Sequence, residues 1–203
     1  TAIVNDPGEL GVEDLIADED IVITLTQSGY IKSMAADAFK TQGRGGRGVT
    51  AAKLKEDDFV DQIVQTTSLA YLLLFSNRGR VFRLRGHEIP VKERQAKGTA
   101  IVNLLNLAPD ERIQAIVSTE EFPEDEYLLF ATADGTVKKT AFSEYNKSRR
   151  EGWIAIKLKD GDEVVRVIAV RDGEDAMLVT YRGTAIRFLS DEARATGRDS
   201  TGV

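Results

Sequence analysis

Cysteine is absent from the 203 residues, and histidine and tryptophan occur once each. Without a thiol there can be no disulfide framework and no thiolate metal site. The lone His87 sits in a basic loop with no second imidazole near it, which disfavours a histidine-ligated metal as well. Long apolar runs are missing: none approaches the ~20 residues that a helix needs to span a bilayer. The opening Thr1-Ala2-Ile3-Val4-Asn5-Asp6 lacks the charged and apolar regions of a signal peptide, so an intracellular, cytoplasmic setting is the expectation. Asn146-Lys147-Ser148 fits a glycosylation acceptor, but without a secretion signal it reads as chance. A nucleophile beside a base is not visible either. The tyrosines mostly fall at strand positions typical of packing, Trp153 opens a strand, and the acids around Phe122-Pro123 read as an exposed connector.

The chain has 42% hydrophobic and 30% charged residues, which excludes disorder, and its length allows one large all-β domain or two small ones. A net charge of −6 argues at first against a polyanionic partner. Its distribution says otherwise. Residues 1–20 hold seven acids and no base, leaving 27 bases against 26 acids in residues 21–203. The expected division is an acidic lead-in at 1–20 and a nearly neutral body at 21–203 whose charges are sorted.

That body repeats. Gly29, Gly79, Gly135 and Gly183 stand 50, 56 and 48 residues apart, each between an apolar run and a shorter β-branched or apolar run. Such flanks around Ser-Gly, Arg-Gly or Asp-Gly spell a β-hairpin. A polar loop follows each hairpin and ends in a second glycine, Gly48, Gly98, Gly152 or Gly202. Third strands are expected at Val49–Leu54, Thr99–Leu104 and Trp153–Leu158. An acidic turn then leads to fourth strands at Phe59–Thr67, Arg112–Thr119 and Glu163–Val170. Four strands per fifty residues is the size of a propeller blade. The repeats fall at about 21–68, 69–125, 126–173 and an incomplete 174–203. Short helical turns are possible at Ala35–Lys40 and Ser190–Ala195, but the chain is otherwise all-β. Trp-Asp blade signatures are absent.

Bases gather in each hairpin and its following loop, acids in the return turn. Residues 78–97 carry seven bases against two acids, 138–150 five against one, and 42–55 four against none. If the blades are related by rotation about an axis, these segments join into a curved positive band, with the acidic turns on another face. Such a band suits bent duplex DNA read through its backbone and bendability rather than its bases. Taken singly, each cluster could be a solvated face; recurrence at matching repeat positions favours function. The most unusual segment is Gln42-Gly43-Arg44-Gly45-Gly46-Arg47-Gly48, where four glycines allow close backbone approach and two guanidiniums offer forked donors to phosphate. It is not a P-loop, since no Lys-Ser or Lys-Thr follows in frame, and a single copy argues against an RGG segment.

These residues resemble the family formed by the C-terminal domain of the DNA gyrase A subunit. The family's hallmark, the GyrA box, reads Gln-Arg-Arg-Gly-Gly-Lys-Gly; here Gln42, Arg44, Gly45, Gly46 and Gly48 match, while Gly43 replaces an arginine and Arg47 the lysine. Leu15-Ile16-Ala17-Asp18, the turn Ser28-Gly29-Tyr30-Ile31-Lys32 and the later repeats extend the resemblance over nearly the whole chain. It implies a propeller-like β-pinwheel of four-stranded blades that exchange strands with their neighbours, of which this chain would be part of a six-bladed array. It also implies a noncatalytic role, wrapping duplex on a basic rim so that the holoenzyme, an ATP-dependent type II topoisomerase, introduces negative supercoils. No cofactor is expected in the chain itself; ATP and Mg2+ would act elsewhere, in assembly with the remainder of the gyrase A subunit and with the gyrase B subunit. The candidate DNA contacts are Gln42, Arg44, Gly45, Gly46, Arg47 and Gly48, together with Arg78, Arg80, Arg83, Arg85, Arg94, Lys97, Lys138, Lys139, Lys147, Arg149, Arg150, Arg182 and Arg187. The alternatives are a topoisomerase IV-type domain, a propeller-like interaction scaffold, and a propeller enzyme with acids or histidines converging on a channel.

Overall fold

A computed structural model of the chain describes residues 11–38, 58–147 and 151–203. The first repeat supplies β1 (Asp20–Thr26), β2 (Tyr30–Ala35) and β3 (Val60–Thr67), and the second β4 (Tyr71–Ser76), β5 (Arg80–Arg85), β6 (Thr99–Ala100) and β7 (Ile113–Thr119). From the third come β8 (Glu126–Thr132), β9 (Val137–Ala141), β10 (Trp153–Ile154) and β11 (Val164–Arg171), and from the fourth β12 (Asp175–Val179) and β13 (Ala185–Leu189). The expected helical turns are single 3-10 turns, Ala36–Ala38 and Ser190–Glu192.

Each hairpin forms for a local reason. Its glycine takes a left-handed φ, +83° at Gly29 and +76° at Gly79, which a side chain would resist. The residue three places before that glycine is always a hydroxyl. Thr26, Ser76, Thr132 and Thr180 each accept the N–H of the residue four positions on, at 3.2, 3.2, 3.1 and 3.1 Å.

Blades do not coincide with repeats. The sheets run β3-β1-β2-β6 in blade 1 and β7-β4-β5-β10 in blade 2. The last strand of each blade thus comes from the next repeat: Tyr30 pairs with Ala100, and Val81 with Trp153. In blade 3, ordered β11-β8-β9, Val137 and Val203 exchange backbone hydrogen bonds of 2.7 and 2.9 Å, the same crossing made by the fourth repeat. Of the fourth strands, β7 touches both β3 and β11 across the blades, which puts these strands on the inner side. The borrowed strands lie on the outer edge.

These borrowed strands are shorter than expected, two residues rather than six. The strand they pair with ends at its hairpin turn, so the ladder ends there too. Ile101 N–H bonds to Gly29 O and Ala155 N–H to Gly79 O, and the chain then turns inward to bury Ile101 and Ile156.

Packing between blades explains the apolar runs. Strand residues point alternately to opposite faces. On β4, Leu72 and Leu74 join the cluster shared with Ile21, Ile23 and Leu25 of blade 1, while Leu73 and Phe75 join the one shared with Leu128 and Phe130 of blade 3. All four are fully buried, each with about 1.5–3 kcal/mol of transfer free energy. A strand covered on both faces needs no polar alternation.

Candidate nucleic-acid interface

Strand exchange decides where the basic loops lie. After β5 the chain crosses to blade 1 and runs along β2: Lys92 N–H bonds to Ser33 O at 3.1 Å, Ser33 bridges Val91, and β6 closes the edge. Lys92, Arg94 and Lys97 are therefore laid over the outer edge of blade 1. The fourth repeat does the same to blade 3, where Thr196 N–H bonds to Lys139 O at 2.9 Å and Ala195 bridges Lys139, bringing Arg194 and Arg198. In the second and fourth repeats the second glycine marks this crossing. A Cβ at Gly98 would lie 2.8 Å from Ile31 O, and one at Gly202 2.4 Å from Val137 O, with φ of +98° and +92°.

The expected contact residues divide by environment. Arg78 at its turn, Arg94, Lys147 and Arg182 are exposed, and Lys97 is half-buried with its ammonium 3.6 Å from the centre of the Tyr30 ring. Arg83 and Arg85 lie over the Tyr71 ring at 4.8 and 3.8 Å. Arg85 is further engaged by Glu13 of the acidic lead-in at 2.7 Å and by Leu69 O. Arg80 meets the buried carboxylate of Glu111 at 3.0 Å. Arg187 is exposed and pairs with Asp175, whose hydrogen bond and charge raise the guanidinium's pKa. Gln42, Arg44, Gly45, Gly46, Arg47, Gly48, Arg149 and Arg150 lie outside the described residues.

Lys138 and Lys139 correct the expectation of a contact surface: both are buried, at 1% and 4% exposure. As neighbours on β9 they point to opposite faces, and blade 3 is covered on both. Lys138 Nζ donates to Ala155 O at 2.7 Å and to Arg198 O. Lys139 Nζ reaches Asp172 at 2.6 Å and Ser190 O at 3.2 Å. Burial pulls the Lys138 pKa down to about 8; Asp199 and Glu144 oppose the fall and Arg198 adds to it.

The acidic turns also differ from expectation. Rather than occupying a face away from the hairpins, they cap the hairpin turns. Asp58 Oδ1 accepts the N–H groups of Ser28 and Phe59, both at 3.0 Å, and Asp162 Oδ1 those of Asp134 and Glu163 at 3.0 and 2.8 Å. Burial pushes both carboxyl pKa values up, but these hydrogen bonds outweigh it, joined by Thr26 for Asp58 and by Thr132 for Asp162, and leave both lowered.

Sequence reasoning missed Lys32, buried at 1% on β2, whose Nζ donates to the carbonyls of Glu93, Arg94 and Ala96 at 3.4, 2.6 and 2.8 Å. The signal was available. Counted from the hairpin glycine, Lys32 and Lys138 align with Phe82 and Ile186, so a charge occupies a position that is apolar in the other repeats. Lys92 and Arg194, both exposed, belong with the perimeter bases as well. Among the described residues, no group of three or more His, Asp or Glu could hold a metal ion, and no helix is long and apolar enough to cross a membrane.

Outer edges dressed with basic loops, on blades that borrow their outermost strand, define a β-propeller of the pinwheel type. The model of the DNA gyrase C-terminal domain, a β-propeller, matches residues 20–66, 70–120, 126–171 and 174–203, and the chain belongs to that family. The DNA gyrase A subunit of Clostridium acetobutylicum is 45% identical over all 203 residues, and that of Escherichia coli K12 is 42% identical. The chain spans about a quarter of the length of these relatives, 24% and 23%. Among solved structures, a C-terminal domain of DNA topoisomerase IV superimposes with a TM-score of 0.78 at 29% identity, covering 93% of this chain and 57% of the other. A DNA gyrase A C-terminal domain gives 0.72 at 30% identity, covering 91% and 59%.

Proposed function

We propose that this chain is a noncatalytic, duplex-wrapping part of a gyrase A subunit. The observation that carries the reading is the placement of the basic loops: strand exchange lays Lys92, Arg94 and Lys97 over the outer edge of blade 1 and Arg194 over that of blade 3. Cations in series along a curved edge attract a phosphate backbone without reading bases, so binding is largely sequence-nonspecific and favours DNA that bends easily. The remainder of the gyrase A subunit, together with the gyrase B subunit, supplies DNA cleavage and the use of ATP and Mg2+, outside this chain. In the assembled enzyme the wrap leads to negative supercoiling, in the bacterial cytoplasm.

Duplex affinity measured against salt tests the reading. Counterion release gives a log-log slope of about −0.9 per phosphate contact, so substituting Arg94 and Lys97 with alanine should flatten it by one to two contacts. A flat slope in the unsubstituted protein would sink the proposal in favour of an interaction scaffold. The similarity to a topoisomerase IV domain favours a second reading, binding without a chiral wrap. Religation of nicked plasmid on the protein separates the two: a positive shift in linking number supports the gyrase-type wrap, and no shift the topoisomerase IV-type.

A further inference from the structure

Lys32 and Lys138 occupy equivalent places, three residues beyond Gly29 and Gly135 on the second hairpin strand of blades 1 and 3. One carbonyl partner of each is equivalent too. Arg94 and Arg198 each lie four residues before the second glycine, in repeats that both place that glycine nineteen residues after the first. We propose that these two lysines are positioning residues of the DNA-contacting perimeter. Each buried ammonium holds a backbone carbonyl, Arg94 O or Arg198 O, of the loop that the next repeat lays over its blade, and so sets how that loop's basic side chains project.

The chemistry favours this role. An ammonium carries three donors and no acceptor, and once out of water each donor must be matched. Lys32 meets Glu93 O, Arg94 O and Ala96 O, three carbonyls within four residues of one loop. No shared ladder holds residues 93–96 to β2, because the Ser33–Val91 bridge lies before them and β6 after. The lysine pins the part of the loop that the ladder leaves out. With its carbonyl turned inward, Arg94 keeps its side chain exposed. On blade 3, Lys138 holds Arg198 O and ties it to Ala155 O.

The inference rests on the reading that the perimeter binds duplex, and two measurements on the intact protein separate their failures. Lys32→Met should speed amide hydrogen exchange at residues 92–98 by about tenfold or more while leaving β4 unchanged. It should also flatten the salt slope of duplex binding by one to three contacts at about 0.9 each, although Lys32 is itself buried. Added to Arg94→Ala with Lys97→Ala, it should flatten the slope little further. Lys32→Gln, which keeps two N–H donors, should recover part of both effects and replaces the methionine variant if that fails to fold. Unchanged exchange overturns the clamp. Faster exchange with an unchanged slope reduces the lysine to a purely structural part and overturns its positioning role. If the unsubstituted protein shows no salt-dependent binding, the DNA reading fails and the positioning role with it, while exchange still reports the clamp.

Discussion

At the third residue past the hairpin glycine, blade 1 carries Lys32 and blade 3 Lys138, whereas blade 2 carries Phe82, fully buried against the next repeat's crossing at Gly152. The acid at the start of the fourth strand follows the same division. Asp58 and Asp162 accept turn N–H groups in blades 1 and 3, while in blade 2 the longer Glu111 reaches Ser76 Oγ at 2.6 Å and Arg80 at 3.0 Å. Blade 2, like blade 3, has both faces packed against neighbours within this chain. Two chemistries thus perform one task, holding a borrowed edge. Directional hydrogen bonds from an ammonium fix a loop's backbone, whereas an aromatic ring fixes only its distance.

If this contrast is correct, Phe82→Ala should have the largest effect, costing about 3–5 kcal/mol in urea unfolding, because a ring at the heart of a packed cluster leaves a cavity. A loss below ~1 kcal/mol would mean the ring does not hold the edge. Next come the crossing glycines. At Gly98 an added Cβ meets backbone with a left-handed φ, and Gly98→Ala should cost about 2 kcal/mol or more. At Gly152 the obstacles are side chains, the Phe82 ring and the Arg80 guanidinium, so Gly152→Ala should cost less, about 1–2 kcal/mol. Equal losses would erase the distinction between the blades.

Acid sensitivity follows. A lowered carboxyl pKa contributes stability that is present above the unfolded value, 3.8, and lost as pH falls through the folded value. Thermal unfolding of Asp162→Asn should therefore fall less steeply below about pH 4 than that of the parent. A dependence confined to alkaline pH belongs to Lys138. Its folded pKa of about 8 lies below the ordinary 10.5, so the unfolded chain binds more protons between those values. The cost of the buried charge is full below pH 8 and is relieved as pH rises to 10.5. Relative to Lys138→Met, the parent should gain stability across that window.

Much of the fold was legible because its signals are local. Glycine at the hairpin turns, apolar runs before them and the fifty-residue spacing each reflect short-range constraints, and β4 reads as continuously apolar because both its faces are covered. The site was harder to read. Charge sorting along the chain marked Arg94 and Lys147 as exposed bases, but the same count put Lys138 and Lys139 at the surface. Their burial depends on the loop of a repeat some sixty residues away. The acids at 58, 111 and 162 were expected on another face for the same reason: their partners, the hairpin turns, lie about thirty residues earlier in the chain. Arg85 was counted as a contact although Glu13 of the lead-in pairs with it.

The outer edge that Tyr30 presents stays open until Ala100 has been made. At ribosomal speeds of about 5–20 residues per second, the intervening stretch takes roughly 4–14 s to appear. During that interval blade 1 exposes an unpaired strand, the kind of edge that invites association with other chains. The bases of the arriving loop then cover it with like charge, which discourages one newly closed blade from pairing with the next molecule.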